Sequence, residues 1–282
     1  MNVKRKFTLY FLLVILVLTQ LLTPSIAAAT TKTTGMVGVN KYLPYCGLSA
    51  ENRVGASYCK NLASNALASL KTAGYTASEA YQAYSYYDNN ATKAALVSTN
   101  SNPVTLFAFA GHGLNVSSSN YNTFHVAYYN GATHSSLSGG EYSSNVNFTT
   151  LNARFPHQYV VAYSCNWLTN NGSTTTATNI LKTMCGTRLM MGFASQMYMD
   201  SREGTLFGQN LYNQNVINAF LNAARYYQTQ NSVDVNARVV GYAPATNDKL
   251  ATTHSGAPTY ASSPSSFSIL TTVKITGTGV HK

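Results

Sequence analysis

Two short blocks carry the residue types that nucleophilic catalysis needs: Gly111-His112-Gly113 and Ser164-Cys165-Asn166. A cysteine attacks as its thiolate, and an imidazole within hydrogen-bond reach can take the proton and return it. Each block directly follows an apolar run, Val104 to Ala110 before the histidine and Tyr159 to Tyr163 before the cysteine. Runs that are apolar on both faces mark strands buried in a parallel sheet, and functional residues of such sheets gather just past the strands' carboxyl ends. If the two strands are neighbours, about 5 Å apart, His112 and Cys165 emerge side by side. The flanking glycines let the backbone approach a substrate carbonyl. They leave the Gly113 N–H, with the Cys165 N–H as a second donor, to stabilise an oxyanion.

The rest of the chain supplies the elements that would position this pair. Met36 to Lys41 reads as a short strand, and Leu62, Ala66, Leu67 and Leu70 recur at helical spacing within a helix over 58–72 that Gly74 stops. A weaker helix is expected over 90–98, a strand over 123–129, a polar loop over 130–147 and a short helix over 149–154. Beyond the cysteine, a helix over 178–184 and a third buried strand over 188–193 lead into one long helix over 205–227 with a broad apolar face. Residues 240–266 read as an extended connection. In 267–276 the alternation of Phe267, Ile269, Thr271, Val273 and Ile275 predicts an edge or antiparallel strand. Alternating strands and helices specify an α/β fold, a three-layer α/β/α sandwich around a mostly parallel sheet. The tyrosines at 81, 84, 86 and 87 read as a half-buried helix or strand face with wet hydroxyls.

A strand ending in His-Gly, here Leu106-Phe107-Ala108-Phe109-Ala110-Gly111-His112-Gly113, followed later by a strand ending in small residue-Cys, here Tyr159-Val160-Val161-Ala162-Tyr163-Ser164-Cys165, resembles the caspase-like cysteine peptidases of clan CD. It is most similar to their bacterial gingipain-type and CHAT-type branches, over residues 100 to 230. The resemblance implies a caspase-like sheet, His112 as proton shuttle, Cys165 as nucleophile, a thioester intermediate and a peptide or protein substrate, with no cofactor. It also implies that the loop after the 188–193 strand helps form the substrate pocket. Ser195, Gln196, Tyr198, Asp200 and Glu203 fall there. An acid in that loop could select Arg or Lys by ion pairing, or simply be a solvated charge.

The ends of the chain bear on compartment. Lys4-Arg5-Lys6, an apolar run from Phe7 to Leu22 and the small residues Ala27 to Ala29 form a secretory signal over residues 1–29, or an anchor if uncleaved. A single domain is then expected over 30–240, with 241–282 as a connection and strand packed on it. Losing the three basic residues lowers the net charge from +10 to about +7. The remaining Lys and Arg are scattered, which disfavours nucleic acid and leaves attraction to an anionic cell surface. A secreted monomer is the expectation. Cys46 and Cys59, close in sequence and flanking a loop, are expected to pair as a disulfide in that compartment. A five-residue strand keeps Cys165 and Cys185 at opposite sheet edges, roughly 15 Å or more apart, too far to pair.

Competing chemistries lack their residues. His112, His125, His134 and His157 have no His/Cys/Asp/Glu spacing around them that builds a metal site, and the whole chain holds only 8 acids. A Gly-x-Ser-x-Gly elbow is absent, and no two acids stand where glycoside hydrolysis would need them. Two functional classes remain, an extracellular cysteine endopeptidase and a non-catalytic caspase-like domain that binds a peptide or a cell-surface partner.

Overall fold

The computed structural model describes residues 32–39, 59–73, 80–87, 91, 93–113, 123–125, 145–147, 155–169, 180–252 and 254–280. Residues 1–29, Cys46, His134 and the helix expected over 149–154 lie outside the described residues, as does the side chain of Cys59.

β1 (Lys32–Gly38) pairs in parallel with β2 (Ala80–Tyr87) on one side and β3 (Leu106–Ala110) on the other. β4 (Thr123–His125) and β5 (Asn145–Asn147) pair antiparallel with each other, apart from that sheet. The main sheet continues from β3 to β6 (Tyr159–Tyr163) and β7 (Leu189–Phe193), both in parallel, then to β8 (Val235–Tyr242) and β9 (Phe267–Ile275), both antiparallel. Its order is β2-β1-β3-β6-β7-β8-β9. The molecule is thus an α/β protein with a seven-stranded, mostly parallel sheet flanked by helices.

Every residue of β3, β6 and β7 is buried, because both faces of the central strands are covered. On one face lie α1 (Cys59–Ala73), α3 (Ser201–Asn213) and α4 (Val216–Tyr227), and there Phe193 meets Phe220 edge-on at 5.6 Å. Burying a side chain such as Phe220 contributes about 1.5–3 kcal/mol. On the other face Phe107 stacks on His157 at 4.7 Å, and Trp167 packs edge-on to Phe155 at 6.5 Å. α2 (Lys93–Ser98) lies between β2 and β3 in sequence.

The α1–α3 contact is close because α3 presents glycines to it. A Cβ at Gly204 would strike the Leu62 carbonyl, and one at Gly208 would strike the Ala66 carbonyl and come within 2.7 Å of the Ser69 Cβ.

Several elements differ from the sequence reading. β1 begins at Lys32, earlier than expected. The tyrosine-rich segment is strand β2, and β5 occupies part of the expected 130–147 loop. β8 stands where no strand was expected, in part just ahead of the 240–266 connection. The long helix over 205–227 is two helices. Gln214 is extended, and the Asn215 side chain caps α4 by accepting from the Asn218 N–H at 2.8 Å. The apolar period runs through the break, and the cap that interrupts it is a short-range polar signal.

Candidate active site

The ladder between β3 and β6 pairs Ala110 with Tyr163, and the Gly111 N–H continues it by donating to the Tyr163 carbonyl at 3.2 Å. His112 and Cys165 each lie two residues past that last pair. Gly113 then folds onto the cysteine's own peptide. A Cβ there would overlap the Cys165 carbonyl oxygen and stand 2.7 Å from Ser164 Oγ, so only glycine fits. His112 and Cys165 therefore leave the carboxyl edge of adjacent strands, beside the point between β1 and β3 where the strand order reverses. His112 is half-buried.

A tight turn after β6 presents Cys165. Asn166 is the only described non-glycine residue with a left-handed backbone, φ 57°, a conformation that asparagine tolerates better than most. The turn is fastened on all sides. Asn166 N–H donates to the Ser195 carbonyl at 2.8 Å, Leu168 N–H to the Phe193 carbonyl at 2.9 Å, and Thr169 Oγ1 to the Ala194 carbonyl at 2.9 Å. From β8, the Arg238 guanidinium donates to the Leu168 carbonyl at 2.7 Å. Trp167 is fully buried beneath the turn. Ser164 Oγ is also buried and has no hydrogen-bond partner among the described residues.

The sulfur of Cys165 meets one residue of the facing loop twice. The Met197 N–H donates to Sγ at 3.4 Å, and the thiol approaches the Met197 carbonyl at 3.9 Å. Burial pushes the Cys165 thiol up, while the amides of Met197 and of Cys165 itself pull it down without overturning that effect.

The loop expected to form a substrate pocket is largely occupied with holding the turn. Ser195 Oγ accepts from the Asn236 N–H at 2.8 Å, and Gln196 is exposed. Asp200 is buried as the N-cap of α3, where its oxygens accept from the Arg202 N–H and guanidinium and from Gln230 Nε2 at 3.2 Å. Burial acts to raise its carboxyl, and the bonds from Arg202 and Gln230 more than offset this, holding it below the usual carboxylate range. Glu203 lies inside α3 and is fully buried. Neither acid is a solvated loop charge, and Asp200 differs from an acid held out to a substrate cation.

Cys185 and Cys165 are free thiols, and Cys185 bridges to Thr259 ahead of β7, at the sheet edge opposite Cys165. His157 belongs to the core. Its Nδ1 accepts from the Val104 N–H at 3.2 Å, so the proton sits on Nε2, which faces Thr99 Oγ1 at 3.3 Å. Burial lowers its pKa to about 3. Among the described residues no group of three or more His, Cys, Asp or Glu could hold a metal ion. No helix among them is long and apolar enough to cross a membrane.

Residues 39–272 match the family described as a domain of unknown function, DUF6345. The chain belongs to that family. The match takes in both site blocks, five of the seven strands of the main sheet whole and the first part of β9. No curated protein matches this DUF6345 chain. Among solved structures it is distantly similar to the crystal structure of the Arg-specific cysteine proteinase gingipain R, with 14% identity and a TM-score of 0.39 over 70% of this chain and 42% of that one. It is similar to the complex of the Porphyromonas gingivalis RgpB pro- and mature domains at 14% identity and a TM-score of 0.38, over 68% of this chain and 42% of that one. The DUF6345 chain spans less than half the length of either structure's chain.

The residues that sequence alone did not single out are Met197 and Gln228. Met197 acts through its peptide, which no side-chain type announces. Gln228 follows α4 within Tyr227-Gln228-Thr229, and nothing local marks it as reaching back to the site loop.

Proposed function

We propose that this protein is a secreted cysteine peptidase in which Cys165 attacks the substrate carbonyl and His112 moves the proton. The observation that carries the reading is the seat of Gly113 on the Cys165 peptide, which holds the histidine and cysteine blocks together at the sheet's carboxyl edge.

His112 takes the thiol proton as Sγ bonds to the carbonyl carbon of the scissile peptide. The Gly113 and Cys165 N–H groups receive the charge on the carbonyl oxygen. The C–N bond breaks, the amine leaves with the proton held by His112, and a thioester to Cys165 remains. Water, giving its proton to His112, attacks the thioester and releases the carboxylic acid and the thiol. No cofactor enters, and the substrate pocket includes Ser195 and Gln196. The mature chain is exported as a monomer after loss of residues 1–29, with Cys46 paired to Cys59, and its positive charge favours an anionic cell surface.

A second reading is favoured by the raised thiol: a non-catalytic domain that binds a peptide or a cell-surface partner through the same edge. Peptide-library hydrolysis under reducing conditions separates the two. Cleavage by the mature protein that is lost in both Cys165→Ala and His112→Ala supports the peptidase, and absence of cleavage by every form supports the binding domain.

A further inference from the structure

The Cys165 sulfur accepts from the Met197 N–H and its thiol approaches the Met197 carbonyl, so its environment depends on where the 195–199 loop sits. One end of that loop is fixed at Ser195, as described above. The other end is gripped by a buried side chain. Gln228, fully buried at the end of α4, accepts from the Tyr198 N–H at 2.7 Å through Oε1 and donates to the Tyr198 carbonyl at 2.9 Å through Nε2. Its amide thus closes on both polar groups of the residue next to Met197.

That grip has a defined orientation, and a third partner supports it. Gln228 Nε2 also donates to Glu203 Oε2 at 2.5 Å. Turning the amide over would set Gln228 Oε1 against the Tyr198 carbonyl and Nε2 against the Tyr198 N–H, leaving both backbone groups without that bond. Glu203 is fully buried; its Oε1 has no hydrogen-bond partner among the described residues, and its Oε2 accepts from Gln228.

We infer that Gln228, oriented by Glu203, is a positioning residue for the Cys165 thiol: through Tyr198 it holds the Met197 amide against the sulfur. The inference rests on reading Cys165 as the nucleophile. The Met197 N–H favours the thiolate over the thiol, so a loop released by Gln228 leaves a thiol that ionises at higher pH and reacts more slowly at neutral pH.

The test is residue-resolved alkylation by iodoacetamide across pH 6 to 10, followed by mass spectrometry, with Cys185 as the internal control and melting temperature measured alongside. In Gln228→Met, Cys165 is expected to label about tenfold more slowly at pH 7, the equivalent of a shift of about one pKa unit, with Cys185 unchanged. Glu203→Leu, which leaves one of the two Gln228 Nε2 hydrogens without an acceptor, is expected to slow Cys165 likewise. Glu203→Gln, which keeps an acceptor for Nε2, is expected to label at the native rate. Folded variants whose Cys165 profile matches the native one would overturn the inference, as would equal labelling of Glu203→Leu and Glu203→Gln. Alkylation needs no substrate, so a protein that cleaves nothing yet shows these shifts would sink the peptidase and keep the positioning role.

Discussion

Gly113 sits so close to Cys165 that a methyl group on its Cα would overlap the cysteine's carbonyl oxygen. The atom in the way is backbone, fixed by the β6 ladder and the turn after it, so it cannot step aside cheaply. Gly113→Ala is expected to lower stability by about 1–3 kcal/mol through overpacking and to spread His112 from Cys165. Cleavage should fall at least about a hundredfold, in line with the sensitivity of catalysis to shifts of about 1 Å. Thermal unfolding and steady-state cleavage check the two halves separately.

Asn166 carries the left-handed turn that presents the thiol. Glycine is expected to hold the turn within about 0.5 kcal/mol, whereas valine should lose about 1–3 kcal/mol and slow Cys165 chemistry. Urea unfolding of the two variants reads the difference; equal stability would remove the strained turn from the account.

Two buried groups give stability opposite pH dependences. The pKa of His157 falls to about 3 in the folded state, below its ordinary value near 6.5, so the unfolded chain binds the extra proton. Its contribution is present above about pH 6.5 and is lost as pH falls toward 3. The pKa of Glu203 rises to about 8 through burial, against the Gln228 hydrogen bond that lowers it and with the nearby Asp200 adding to the rise. Its contribution is present below about pH 4.5 and is lost as pH rises toward 8. Each effect is on the order of a few kcal/mol at full extent. Unfolding free energies across pH 4 to 9 should show Glu203→Gln flattening the alkaline side while leaving the acid side sloped.

Arg188 and Asp248 form a buried pair at the amino edge of β7, with Nε to Oδ2 at 2.5 Å and Nη2 to Oδ1 at 2.9 Å, and the Tyr159 hydroxyl donates to the same carboxylate at 2.9 Å. The pair fastens the 243–262 connection to the sheet, since Arg188 also donates to the Ser255 carbonyl at 2.8 Å. Asp248→Ala strands a buried guanidinium and a phenol, and is expected to lose about 3–5 kcal/mol in chemical unfolding. A loss under about 1 kcal/mol would mean that solvent reaches the arginine.

The central strands were legible because burial on both faces writes an unbroken apolar run, as in Phe107 to Ala110 and Tyr159 to Tyr163. The blocks at their ends followed from strand polarity alone. β8 was readable in principle, since Val235, Ala237 and Val239 alternate with partly exposed neighbours, yet it lies beside a polar connection that drew the boundary elsewhere. The break at Gln214 was hidden because Leu211 and Val216 keep the apolar period across it. Asp200 and Glu203 show a different limit: an acid's type says nothing of whether it faces a substrate, caps a helix or lies buried beneath a loop. That distinction appears only when Arg202, Gln230 and Gln228 are placed around them.

The most direct measurement is the rate at which iodoacetamide labels Cys165 near neutral pH in the native protein and in His112→Ala, with Cys185 as reference. A paired thiol should label well ahead of Cys185 and lose at least about tenfold in rate when the imidazole is removed. A Cys165 that labels no faster than Cys185 and ignores the loss of His112 would contradict the dyad and leave this edge of the sheet a binding surface.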